Sequence, residues 1–227
     1  LVMPGNNDTS DIARLAAELT HQRGLAQLLS LTDNLAGDRH GVSLCGYSEH
    51  RIQAGSRVVS LISGRPHSMG GPALSFPEFM EATYAINSLD ESAARLCELV
   101  DAAQEEVIFL SHNGPHGLGD REHDMWGCEF REGGGDWGDP DLAHAIHHAK
   151  STGRRVLAVI AGHMHLRTKQ GRERPWQVAV DDTLYINAAR VPRIFAGEGD
   201  VFRHHVRMLI SEDDMVVEEV LVSESGQ

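Results

Sequence analysis

The sequence predicts an α/β fold, a layered core extended by antiparallel strands, with residues 1–227 forming one domain. Three observations predict it. Short apolar, β-favouring runs alternate with segments of helical period through the first two-thirds of the chain. The last third changes to β-favouring clusters separated by acidic turns, the pattern of a meander. No internal repeat, low-complexity tract or linker divides the chain.

Leu1-Val2-Met3 ends a strand that runs into the polar turn Pro4-Gly5-Asn6-Asn7-Asp8. The chain opens without an initiator Met or a signal-peptide pattern, so the expectation is a piece of a longer protein whose first strands lie upstream. Ser10 suits an N-cap and Ile12, Leu15, Ala16 and Leu19 recur at helical spacing, predicting a helix to about Leu31. Residues 42–46 and 58–62 are β-like, and the second run leads into a turn-rich stretch over residues 63–72 that holds Arg65 and His67. Residues 75–86 are predicted helical. Ser88 and Glu91 have capping-box spacing and open a helix with Leu96, Leu99, Val100 and Ala103 on one face. Residues 106–110 form a buried strand, followed by a Gly- and Asp-rich loop over residues 116–138. Asp139-Pro140 places an N-cap before a proline at the first helical position, predicting a helix over residues 141–152. Residues 156–161 read as a strand covered on both faces. Residues 178–180, 184–186, 206–210 and 216–222 are β, with hairpin turns at Asp181-Asp182 and Glu212-Asp213-Asp214.

Composition narrows the function classes. Hydrophobic residues make up 41% and charged residues 23%, as in ordinary globular proteins. A net charge of −13 argues against a nucleic-acid surface or an anionic-membrane surface, both of which need clustered Lys and Arg. No apolar run approaches the roughly 20 residues that span a bilayer. Cys45, Cys97 and Cys128 are odd in number and widely spaced, which favours neither a disulfide framework nor a CxxC zinc site. A reducing, cytoplasmic compartment is the simplest expectation, with any targeting segment upstream of Leu1 left open.

Chemistry collects where strands end. Asn6 follows the first strand, His112 the middle one, and His163 and His165 the late one. In open α/β sheets the functional crevice lies outside the carboxyl ends of the strands, so residues distant in sequence can meet there. Gly162 is read as the residue that lets the backbone turn sharply, so that His163 and His165 converge on two adjacent metal positions through neutral imidazoles. Asn113, beside His112, is a candidate substrate contact. Asp120, His123, Asp124, Asp136 and Trp137 either shape a substrate pocket or belong to a solvated acidic loop. Arg65, Arg190 and Arg193 are candidates for gripping a phosphate, with Arg190 preferred.

Gly5-Asn6-Asn7-Asp8, Ser111-His112 and Gly162-His163-Met164-His165, in that order, resemble the calcineurin-like metallophosphoesterase superfamily. That family reads D-x-H, G-D-x-x-D, G-N-H-D/E, a lone H and G-H-x-H; the last three blocks are here and the first two would precede Leu1. The resemblance implies an αββα four-layer sandwich, here N-terminally truncated. It implies that Asn6, His112 and His163 bind one metal and His165 the other, with two divalent ions (Mn, Fe or Zn) in the full-length form. It also implies hydrolysis of a phosphate mono- or diester in a small-molecule or nucleotide substrate. Asp8 would orient its neighbours. Asn7 stands where the family usually has a histidine, and an amide cannot serve as a general acid, so this catalytic position departs from the pattern. That departure gives weight to a rival reading, a non-catalytic phosphoesterase-fold scaffold for protein partners.

Overall fold

The computed structural model describes residues 1, 3, 45–197 and 199–224. The turn Asn6-Asn7-Asp8, the helix expected from Ser10 and most of the strand expected at residues 42–46 lie outside the described residues.

Six strands form the larger sheet: β1 (Ser48–Ala54), β2 (Arg57–Ser63), β3 (Glu106–Leu110), β4 (Arg155–Ala161), β5 (Gln177–Val180) and β6 (Thr183–Asn187). Their spatial order is β1-β2-β3-β4-β6-β5. β2, β3, β4 and β6 run parallel, while β1 and β5 close the edges antiparallel. The helices are α1 (Pro77–Tyr84), α2 (Leu89–Ala102) and α3 (Pro140–Ser151). A second, antiparallel sheet holds β7 (Ile194–Gly197), β8 (Asp200–Ile210) and β9 (Met215–Ser223).

Alternation along the central strands sorts the core into two layers. Val107 and Phe109 of β3 pack with Leu96 and Val100 of α2 and with Leu142, Ala145, Ile146 and Ala149 of α3. Ile108 points the other way, into the layer filled by Val206, Met208 and Ile210 of β8 and Met215 and Val217 of β9. Those five residues recur at a period of two, as a sheet with one buried face requires. Along β4 the alternation slips: Val156, Val159 and Ala161 face the helices, whereas Leu157, Ala158 and Ile160 face the small sheet. The slip is a bulge, because Val107 pairs with Val156 but Ile108 pairs with Ala158, leaving Leu157 as the extra residue.

The described layers are therefore helices, large sheet and small sheet, a mixed α/β arrangement around a largely parallel sheet. The expected meander is corrected. Asp181 and Asp182, at φ 47° and 60°, make the predicted hairpin turn, yet the β5–β6 hairpin it joins extends the large sheet through β4–β6 pairing. Only β7 to β9 form the separate antiparallel unit. β1 and β7 were not expected: β1 is a polar edge strand, and β7 has an apolar run of only three residues, Ile194-Phe195-Ala196.

Local signals set the helix starts. The Ser88 Oγ accepts the Glu91 N–H at 3.1 Å, and the Glu91 carboxylate reaches back to the Asn87 N–H at 2.6 Å, a capping box displaced by one residue. Glu106 fastens the amino ends of three neighbouring strands by pairing with Arg57 (2.5 Å) and Arg155. Leu96 is fully buried between α2 and the sheet. Leu96→Ala should lower the unfolding free energy by about 2–5 kcal/mol in urea titrations, and a loss under about 1 kcal/mol would contradict this packing.

Candidate functional site

The hydrogen-bond ladder between β3 and β4 continues past the strand ends. Ser111 N–H donates to the Ile160 carbonyl at 3.0 Å, and Gly162 N–H donates to the His112 carbonyl at 2.9 Å. This pins the two post-strand turns side by side, with the His112 and His163 ring centroids 5.0 Å apart and their planes at 66°. The left-handed backbone of this turn belongs to His163, at φ 64°, and a Cβ at position 162 would make only ordinary contacts, 3.6 Å from the Ala189 Cβ. The expectation for Gly162 is thus corrected: the strained position is the histidine itself.

Both rings are held neutral. Burial, reinforced by His163, His67 and Arg65, pulls the His112 pKa down to about 3. Burial likewise takes His163 to about 4, with His165 adding to the effect and the Met69 carbonyl, which accepts from the His163 ring, working against it. In a neutral ring that hydrogen bond makes the other nitrogen the lone-pair nitrogen, the form in which imidazole ligates metal. His67 was not singled out from the sequence. It is buried at φ 56°, with its ring edge-on to Phe79 at 5.2 Å, and joins this group through its effect on His112.

His165 is exposed, and its carbonyl accepts from Arg174 Nη1 at 2.8 Å. Arg174, also unforeseen, is buried with every donor nitrogen engaged. It donates to the carbonyls of Glu122 (2.6 Å), Asp124 (3.1 Å) and Gly127 (3.0 Å) and pairs with Glu129 (3.4 Å). Trp126 and Met125 are buried beneath the histidine turn, where the Trp126 indole donates to the Gly162 carbonyl at 3.2 Å. Asn187, at the end of β6, donates to the Met164 carbonyl at 2.8 Å. The middle of the 116–138 loop is therefore core, although its periphery is solvated.

Arg65 is 1% exposed and clamped between Asp139 and Asp141, with its Nη2 3.0 Å from Asp139 and its Nε 2.9 Å from Asp141. Burial acts against its charge, but the two carboxylates outweigh it. Burial pushes the Asp139 carboxyl upward and the Arg65 guanidinium pulls it back. Ser68 (2.6 Å) and Asn113 (3.1 Å) donate to Asp139, while Ser92 donates to Asp141 and shares a 2.7 Å hydrogen bond with Tyr47. The other Asn113 amide bond goes to the Trp137 carbonyl at 2.9 Å. Arg65 and Asn113 thus sit inside a buried network, and the predicted N-cap Asp139 turns its side chain to that network instead of to helix N–H groups.

Asp136 accepts the N–H groups of Gly117 (2.7 Å) and Gly138 (2.8 Å), closing its loop, while Asp120 is exposed. Arg190 lies apart from the network, its guanidinium 4.9 Å above the Phe195 ring. Among the described residues no group of three or more His, Cys, Asp or Glu side chains could hold a metal ion. The donor chemistry of His112 and His163, two adjacent neutral imidazoles, nevertheless fits a divalent transition metal.

No family model matches the chain, and no curated protein matches it. Solved structures similar to it include a putative 5′-nucleotidase from Staphylococcus aureus in complex with alpha-ketoglutarate, at 15% identity and a TM-score of 0.37 over 82% of this chain and 31% of that one. Another is the Thermus thermophilus sulfate thiohydrolase SoxB in complex with glycerol, at 15% identity and a TM-score of 0.34, covering 81% of this chain and 26% of that one. The chain spans less than a third of the length of either. No helix among the described residues is long and apolar enough to cross a membrane.

Two predictions follow from this geometry. Arg65→Met leaves two carboxylates buried without their cation and should cost about 3–5 kcal/mol in urea unfolding; a neutral result would show that the pair is dispensable. The second concerns pH. The folded rings titrate at about 3 and about 4, whereas histidine in an unfolded chain titrates near 6.5, so the unfolded state binds more protons between these values. Stability from this pair is therefore full above about pH 6.5 and declines as pH falls toward 4. Urea midpoints of metal-free protein should trace that decline, and His112→Gln should flatten it; an unchanged slope would show that His112 is not the titrating group.

Proposed function

We propose that this chain forms one side of a metal-dependent phosphoesterase centre that hydrolyses a phosphate mono- or diester of a small molecule, nucleotides included. The observation that carries the reading is the pair His112 and His163: two neutral, half-buried imidazoles held side by side at the carboxyl ends of adjacent parallel strands. The order of the three sequence blocks supports the same reading. His112, His163 and Asn6 would hold one ion and His165, from the exposed side of the turn, would serve the other. Two such ions, when bound, supply a hydroxide at neutral pH and a clamp on the phosphoryl oxygens.

The chain's own residues prepare that site. The Met69 carbonyl fixes the His163 ring in the tautomer that presents a lone pair, and the His112–Gly162 backbone bond fixes the spacing of the two turns. Asn113 and Arg65 act from below, holding the Trp137 and Asp139 segment against the strand ends. Asp136 closes the loop, which leaves Asp120 as the exposed candidate for substrate contact. Arg190 is the candidate grip on the phosphate. Asn7 and Asp8 would complete the catalytic set, Asn7 as a neutral hydrogen-bonding group in place of an acid and Asp8 as an orienting carboxylate.

Metal content per chain, measured by plasma mass spectrometry after Mn²⁺ loading, tests the reading. About two ions should be retained, and His163→Ala should remove one and lower hydrolysis of phosphate mono- or diesters by about 10²-fold or more. Retention of no metal and turnover of no phosphoester would replace the reading with the protein-binding scaffold.

A further inference from the structure

Beyond the histidine turn lies a cavity of about 250 Å³, whose walls include Arg167, Glu173, Trp176, Arg190, Phe195 and Glu219. It lies just below the range of about 300–1,000 Å³ usual for small-molecule sites, large enough for one planar ring system. The cavity shares a wall with the histidine turn. Leu166 N–H donates to the Ala189 carbonyl at 3.1 Å and Ala188 N–H donates to the Ala161 carbonyl at 2.8 Å, so the segment carrying Arg190 is laid along residues 161–166.

The lining has a definite chemistry. Trp176 and Phe195 supply aromatic rings to the lining; Phe195 is stacked on Phe202 at 6.0 Å and carries the Arg190 guanidinium over its ring, so it meets the cavity with its edge. Arg190 makes no hydrogen bond or ion pair among the described residues; its contact is the face of Phe195. It differs in this from Arg174, whose donors are all taken. Glu173 and Glu219 also line the cavity, Glu219 hydrogen-bonded with His204 at 2.9 Å, and neither is ion-paired to Arg190 among the described residues. A guanidinium over an aromatic ring, without an ion-pair partner among the described residues, suits an anion attached to a flat ring.

We infer that this cavity binds the aromatic group of an aryl or heteroaryl phosphoester, the ring lying against Trp176 beside the edge of Phe195 and the phosphate meeting Arg190 at the wall shared with the histidine turn. The identity of the ester as a substrate rests on the phosphoesterase reading; the ring site rests on the cavity alone.

Isothermal titration of the metal-free protein with phenyl phosphate and methyl phosphate separates the two. Phenyl phosphate should bind at least about tenfold more tightly, the scale of one ring stacking on an aromatic side chain. Trp176→Leu should abolish that preference, and Arg190→Gln should weaken both ligands. Equal affinity for the two ligands, or a preference that survives Trp176→Leu, overturns the ring site. Should Trp176→Leu fail to fold, the indole N–H resonance of Trp176, assigned through Trp176→Phe, decides: it shifts on addition of phenyl phosphate if the site exists and stays put if it does not. Ring binding without turnover in the Mn²⁺-loaded protein would remove the phosphoesterase reading and leave the site standing.

Discussion

A guanidinium that is 1% exposed must be neutralised by partners equally removed from water, and Arg65 finds two, Asp139 and Asp141, far along the chain from it. It follows the end of β2, Asp139 closes the long loop, and Asp141 begins α3. Ser92 of α2 and Tyr47, whose hydroxyl burial keeps protonated, extend the same network to the other main helix. An ion pair so deep contributes little net stability compared with an apolar core of the same volume, because desolvation offsets most of the attraction. Its contribution here is to location. With both carboxylates bound to one planar fork, the loop exit and the start of α3 have a single position relative to the sheet edge, and Asn113 transmits that position to the residue beside His112.

The histidine pair depends on backbone more than on side chains. Parallel pairing of β3 with β4 continues for one residue beyond each strand, and that continuation sets the ring separation. The bulge at Leu157 matters for the same reason: one inserted residue changes which face every later β4 side chain meets, so Val159 and Ala161 reach the helices only because Leu157 is extra. Arg174 secures the outer side of the turn by gathering the carbonyls of Glu122, Asp124, Gly127 and His165 around one cation. A loop rich in glycine and acid is thereby made rigid beneath the histidines, a preorganisation suited to a site in which small displacements cost activity.

Three arginines near the carboxyl edge illustrate how environment assigns different work to one side chain. Arg65 is neutralised and structural, Arg174 is saturated by carbonyls, and Arg190 rests on an aromatic ring with its charge uncompensated among the described residues. Of the three, only the last is without a hydrogen bond or ion pair among the described residues. The aromatic lining around it, Trp176 and Phe195, is what the proposed ring site rests on.

The sequence by itself determined the alternating core, the capping of α2, the proline-led start of α3, the two acidic hairpin turns and the placing of His112 and His163 just after apolar strands. Each of these is written in a local pattern: period two, capping-box spacing, or a polar residue directly after an apolar run. Tertiary structure alone decided that β5 and β6 join the large sheet, because strand partnership is a long-range choice that no local period encodes. It alone decided that Arg65 is buried, since an arginine among turn residues reads as exposed until two distant aspartates close on it. The same holds for His67 and Arg174. Their roles come from what surrounds them, through proximity to His112 in one case and carbonyls gathered from four places in the other, and burial of that kind exists only once the chain has folded.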